Sequence, residues 1–133
     1  METKHKIGEK KRFSLITRLK STNNGLRGLG VFIRTTHNLW VHLFFAVLAI
    51  YLGFIFSLSS VEWSIIIFAI GLVIISEAFN TAIEIDIDLT SPTYHPYARD
   101  TKDVAAAAVS IATIVAGIMG LLIFGPKVIS LLY

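Results

Sequence analysis

Five polar residues, Glu77, Asn80, Thr81, Glu84 and Asp88, follow directly on an apolar run at residues 61–76. An ionisable group at the edge of a hydrophobic stretch is costly to place there and marks a functional site by default. With a helical advance of about 100° per residue, all five fall within about 60° of the direction of Glu77. Asp86 falls about 180° away, on the opposite face, and is excluded from the site. Glu77 and Glu84 are two turns apart, on the order of 10 Å along the axis. They cannot share one proton, but they suit separate tasks: a deeper carboxylate as a general base and a shallower one as a metal ligand. The other reading of the same stripe is a polar clamp between helices.

The segment at residues 90–103, Thr-Ser-Pro-Thr-Tyr-His-Pro-Tyr-Ala-Arg-Asp-Thr-Lys-Asp, reads as a short loop with two prolines and then a helix start. It returns His95, Lys102 and Asp103 to the level of the stripe. Carboxylates are hard ligands suited to Mg²⁺, and a lysine suits phosphate. Together they favour phosphoryl transfer, which depends mainly on positioning and charge neutralisation. Soluble-kinase signatures are missing: there is no GxxxxGK[ST], no Gly-rich kinase loop and no His-Arg-Asp catalytic loop. Metal hydrolysis is disfavoured in the same way, because no HExxH or paired-His spacing occurs.

The elements that must position these residues are membrane spans. The 133-residue chain is 54% hydrophobic and 16% charged, more apolar surface than a domain of this size can bury. The surplus must face lipid. Residues 41–58, 61–76 (extending to about 87) and 104–124 each approach the roughly 20 residues a helix needs to cross the bilayer core. Ser57 to Glu62 reads as a polar turn, Trp63 as an interfacial anchor, and Gly125-Pro126 as the stop of the third run. Ala108, Ala112, Ala116 and Gly120 recur every four residues, a spacing that lets helices approach closely in a membrane. Cysteine is absent, which removes disulfides, thiolate ligands and a thiol nucleophile.

Residues 1–12 read as a basic, flexible head. Residues 13–38 read as a basic amphipathic helix on the membrane surface, broken near Asn23-Asn24-Gly25. Residues 39–127 form the spanning domain and 128–133 a short tail outside. No cleavable signal peptide is expected. Eleven of the twelve Lys and Arg lie before the first span or between the second and third, so the positive-inside rule makes that side cytoplasmic. The basic head suits anionic lipid headgroups rather than nucleic acid.

The run Glu77-Ala78-Phe79-Asn80-Thr81-Ala82-Ile83-Glu84-Ile85-Asp86-Ile87-Asp88, then His95, then Lys102-Asp103-Val104-Ala105-Ala106-Ala107-Ala108-Val109, resembles the prokaryotic diacylglycerol kinase family. That family's pattern is E-x-x-N-[ST]-A-[IL]-E-x-x-x-D, then H, then K-D-x-x-[SA]-A-A-V. The resemblance covers roughly residues 13–127. It implies an all-α bundle, a surface helix followed by three spans, assembled as a homotrimer in the bacterial inner membrane. It implies MgATP-dependent phosphorylation of a lipid alcohol, diacylglycerol or undecaprenol. By the same resemblance Glu77 is the general base and Glu84 the metal ligand, with a part in nucleotide binding. Asn80 and Asp88 organise the site, Tyr94 and His95 contact nucleotide, and Lys102 and Asp103 contact phosphate and ribose.

One position departs from the pattern. In Arg34-Thr35-Thr36-His37-Asn38-Leu39-Trp40-Val41-His42, Thr36 stands where the family has a Glu that is the second protein carboxylate for the metal. Thr36 offers one neutral oxygen, and His37 and His42 are soft donors poorly matched to Mg²⁺. His42, at the start of the first span, is expected to bond within the bundle or with headgroups. Two readings follow: an active lipid-alcohol kinase, or a catalytically degenerate or changed-function membrane protein that keeps the fold. A transport subunit is disfavoured, because the stripe clusters at one interface and a pathway needs polar groups at mid-depth.

Overall fold

The computed structural model describes residues 15–131, and these form four helices and no strand. They are α1 (Leu15–Thr35), α2 (Asn38–Ile55), α3 (Ser60–Thr90) and α4 (Pro96–Ile129). The last three are long and apolar enough to cross a membrane. The all-helical, three-span class expected from hydropathy is therefore the observed one. The basic head, Phe13 and Ser14, and the last two residues of the tail lie outside the described residues. The chain divides into two units, Met1–Val31 and Phe32–Tyr133.

In the first unit, α1 runs without interruption through Asn23-Asn24-Gly25, which corrects the expected break. A glycine costs a helix about 1 kcal/mol. Unlike a proline, it leaves every backbone N–H available, so weak propensity alone does not end the element. Leu26 and Leu29 are exposed.

In the second unit, α3 is the centre. A third of its most apolar window is buried, against 11% for α2 and for α4, and both neighbours pack on α3. Phe44, Phe54, Ile67, Phe68, Leu121 and Leu122 are each more than half exposed. That exposed apolar surface is the surplus the composition demanded. With 31 residues, α3 is about 46 Å long against about 30 Å of hydrocarbon, so one end must project into the headgroup region.

Capping sets the boundaries. Ser59 accepts the Glu62 N–H, and the Glu62 side chain accepts the Ser59 N–H, a reciprocal capping box that starts α3. Pro96 occupies the first turn of α4, where its missing N–H costs nothing. Gly125-Pro126 does not stop the third span, contrary to expectation: α4 continues to Ile129 with Pro126 inside it. The proline sits one turn from the end, and its carbonyl still accepts the Ser130 N–H at 3.0 Å. Only one intrahelical bond is lost there.

The bundle is tied at this end. Leu58, Ile66 and Ile123 form a core cluster with Phe56, Trp63 and Phe124 packed around it. Lys127 donates to Glu62 at 2.9 Å, joining the end of α4 to the start of α3. The turn places Ser57 at φ 48°, in the left-handed region. Trp63 lies so close to α2 that a Cβ at Gly53 would meet its ring at 2.7 Å. Gly53→Ala is therefore expected to destabilise the bundle by about 1–3 kcal/mol, read as a lower unfolding midpoint in detergent. Trp63→Phe in the same chain should recover part of the loss; an unchanged midpoint in Gly53→Ala would mean that this contact does not hold the turn.

Candidate active site

The sequence-predicted residues separate into a buried group and an exposed cleft on either side of Glu84. Glu77 is 1% exposed, and Asn80, Thr81 and Thr36 are also buried. Glu84 is half-buried, while Asp86 and Asp88 are exposed. The inner face of α3 carries Glu77, Asn80, Thr81 and Glu84, while Asp88, which helical phase puts on that face, is exposed just as Asp86 is. From Glu77 to Asp88 the stripe descends roughly 16 Å of helix axis.

Within the buried group the partners are specific. Oε1 of Glu77 lies 3.9 Å from Nε2 of His42 on α2, while its Oε2 is buried without a hydrogen-bond partner. Asn80 donates through Nδ2 to Oε1 of Glu84 at 3.1 Å, one turn on, and its own Oδ1 is buried and unpartnered. Such orphaned acceptors cost free energy in a low-dielectric interior and call for a functional reason. Thr36 and Thr81 share a hydroxyl–hydroxyl bond of 2.7 Å. The residue at the expected second carboxylate position is thus a buried neutral group bonded to α3.

The exposed group lies where α3 passes into α4. Lys102 forms an ion pair and hydrogen bond with Asp88 across the turn. His95 caps α4, its Nδ1 accepting the Tyr97 N–H at 3.3 Å. Asp88, Tyr94, His95, Arg99 and Lys102 line a cleft of about 240 Å³. Asp103 is not in the lining; its carboxylate lies 3.7 Å from Arg99, one turn back on the same helix. Among the described residues no cluster of three His, Asp or Glu side chains is arranged to hold a metal unaided.

Spacing did not foresee the approach of His42 to Glu77 or the bond between Thr36 and Thr81. Both cross between elements far apart in the chain, and no periodicity relates them. Arg99 also lines the cleft, between His95 and Lys102 in the sequence. The small-residue stripe of α4 divides: Ala112 is buried in the packing, Ala108 is exposed, and Ala116 and Gly120 line a cavity between helices.

On the central helix of the three-span bundle, the buried Glu77 and half-buried Glu84 are followed by a cleft that carries Arg99 and Lys102. Residues 23–124 match the prokaryotic diacylglycerol kinase family. The chain is similar to the undecaprenol kinase of Bacillus subtilis (strain 168), 39% identical over 127 residues that cover 96% of this chain and 99% of that protein. It is similar to a diacylglycerol kinase of Synechocystis, 34% identical over 106 residues, covering 79% of this chain and 61% of that protein. A diacylglycerol kinase of Helicobacter pylori is 39% identical over 72 residues, 54% of this chain and 53% of that protein. The chain belongs to the prokaryotic diacylglycerol kinase family and is a membrane lipid kinase. The changed-function reading prompted by Thr36 has no support from these relatives.

The buried hydroxyl pair is directly testable. Thr36→Val and Thr81→Val are each expected to lower stability, and the double mutant should show a coupling of about 1 kcal/mol. Strict additivity in a detergent unfolding series would mean that the two hydroxyls do not bond.

Proposed function

We propose that the chain transfers the γ-phosphate of ATP to the hydroxyl of a membrane lipid alcohol, with undecaprenol ahead of diacylglycerol. The relative that matches over nearly the whole of both chains is named an undecaprenol kinase, which supports that order. The observation that carries the chemistry is Glu77, a fully buried carboxylate with one unpartnered oxygen. In this reading Glu77 takes the proton of the lipid hydroxyl. The alcohol oxygen bonds to the γ-phosphorus as the bond to the β–γ bridging oxygen breaks, and ADP leaves.

The remaining roles follow the positions along α3 and α4. Asn80 holds Glu84 by its amide, and Asp88 holds Lys102. Tyr94, His95 and Lys102 line the cleft in which the nucleotide would sit. Lys102 would face phosphate, while Asp103, outside the cleft lining, would reach the ribose of a bound nucleotide. Magnesium fits the donor set in the manner usual for nucleotide sites: it binds through one or two carboxylates, keeps waters and takes substrate phosphates as ligands. Glu84 supplies the carboxylate, and the unpartnered Oδ1 of Asn80 is a second hard oxygen. The bound ion would neutralise charge on the transferred phosphoryl group. Thr36, engaged with Thr81, is left out of the metal site.

The charge asymmetry of the sequence supports a cytoplasmic site in the bacterial inner membrane, with residues 13–38 on that surface. Family membership supports a homotrimer.

The test is an assay in vesicles with labelled ATP, both lipid alcohols and a titration of Mg²⁺ and Mn²⁺. Lipid phosphate is expected, with undecaprenol preferred; no product with either lipid across the titration would overturn the proposal. Glu77→Gln is expected to lower kcat about 1,000-fold with ATP binding retained, and turnover near that of the parent would remove Glu77 from the base role. Glu84→Gln should raise the Mg²⁺ concentration needed for half-maximal rate about tenfold or more, and an unshifted metal titration would take the ion away from Glu84.

A further inference from the structure

Three side chains on the lining of the cleft where α3 passes into α4 carry fixed charge: Asp88, Arg99 and Lys102. Lys102 and Asp88 pair with each other inside the lining, so their charges cancel there. Arg99 is paired differently. Its Nη2 lies 3.4 Å from Oδ1 of Asp100 and its Nε 3.7 Å from Oδ2 of Asp103, and neither aspartate belongs to the lining. The positive charge that the cleft can offer an anion is therefore that of Arg99.

The grip on Arg99 is weak. The side chains of Arg99, Asp100 and Asp103 are 63%, 57% and 70% exposed, and ion pairs between exposed side chains contribute little once water and salt screen them. Both distances are also long for a charge-assisted bond. A phosphate offers more: the planar guanidinium presents paired N–H donors that match two phosphate oxygens at once. Arg99 and Lys102 stand three residues apart on α4, and residues at that spacing are neighbours on one face of a helix. About 4.5 Å of axis separates them, so the two cations can address successive phosphates of one chain.

We propose that Arg99 is a phosphate-binding residue of the nucleotide cleft, held on Asp100 and Asp103 until a nucleoside phosphate draws it across. The inference rests on the lipid-kinase reading above and adds to it a residue and an exchange. When the guanidinium turns from Asp103 to phosphate, the Asp103 carboxylate is released, and that reading gives this carboxylate the ribose. Phosphate and ribose are thereby coupled: whatever takes Arg99 also frees its former partner for the sugar. A nucleoside without phosphate leaves Asp103 engaged and gains nothing from Arg99. The two aspartates set the threshold, because an incoming anion must compete with carboxylates already in place.

The experiment uses the full chain in lipid nanodiscs, with binding of ATP, ADP and adenosine measured by titration calorimetry beside the rate of lipid phosphorylation. Arg99→Gln is expected to weaken ATP and ADP about tenfold or more, to leave adenosine no weaker, and to raise the KM for ATP with the KM for lipid unmoved. Arg99→Lys, which keeps the charge and loses the fork, should recover part of the loss. Asp100→Asn removes a competitor and should tighten ATP about two- to threefold; in the Arg99→Gln background the same change should have no effect. ATP bound by Arg99→Gln as tightly as by the parent, an equal loss for adenosine, or an Asp100→Asn effect that persists without Arg99 would each overturn the inference. A protein that phosphorylates no lipid alcohol, yet loses ATP affinity on Arg99→Gln with adenosine spared, would defeat the kinase reading and leave the role of Arg99 standing. Lipid phosphorylation with a KM for ATP untouched by Arg99→Gln would do the reverse.

Discussion

A carboxylate held 1% exposed on a membrane-spanning helix costs free energy unless charge, hydrogen bonds or a ligand compensate it. The surroundings of Glu77 compensate it only in part. His42 faces one oxygen without bonding it, and the other oxygen has no partner. Thr36 and Thr81, the nearby buried hydroxyls on the stripe and its neighbour, satisfy each other. The protein therefore keeps an acceptor in reserve in a place where structure alone would have removed it. In the proposed function that reserve serves as the base for the lipid hydroxyl.

The rest of the second unit serves to hold this group at a fixed depth. Helix α3 is long enough to cross the hydrocarbon and still project, so one helix carries both the buried acid and the exposed Asp88 that grips Lys102. The far end of the bundle is fastened by the capping box, the Glu62–Lys127 pair and the Trp63 ring against Gly53. Because α2 and α4 are fastened to α3 there, the space between them can remain open without loosening the turn.

Much of the site was legible in the residues, for a local reason. A helix repeats about every 3.6 residues, so Glu77, Asn80, Thr81, Glu84 and Asp88 could be placed on one face, and Asp86 rejected, without knowing what packed there. Two local rules misled. Asn23-Asn24-Gly25 does not break α1, and Gly125-Pro126 does not end α4. Propensity is a weak prior against a helix whose neighbouring turns remain bonded, and a proline one turn from the end removes too little to stop it.

Hydropathy alone determined three helical spans, because lipid offers the backbone no hydrogen-bond partners and a spanning segment must satisfy its own. Phase and spacing alone brought an acidic face of the second span level with the segment that carries His95 and Lys102. Only the tertiary structure decided that His42 approaches Glu77, that Thr36 is spent on Thr81, and that α2 and α4 leave a slot between them. Those facts depend on how helices distant in sequence are set against one another. That setting comes from side-chain packing summed over whole interfaces, which no spacing along a single chain encodes.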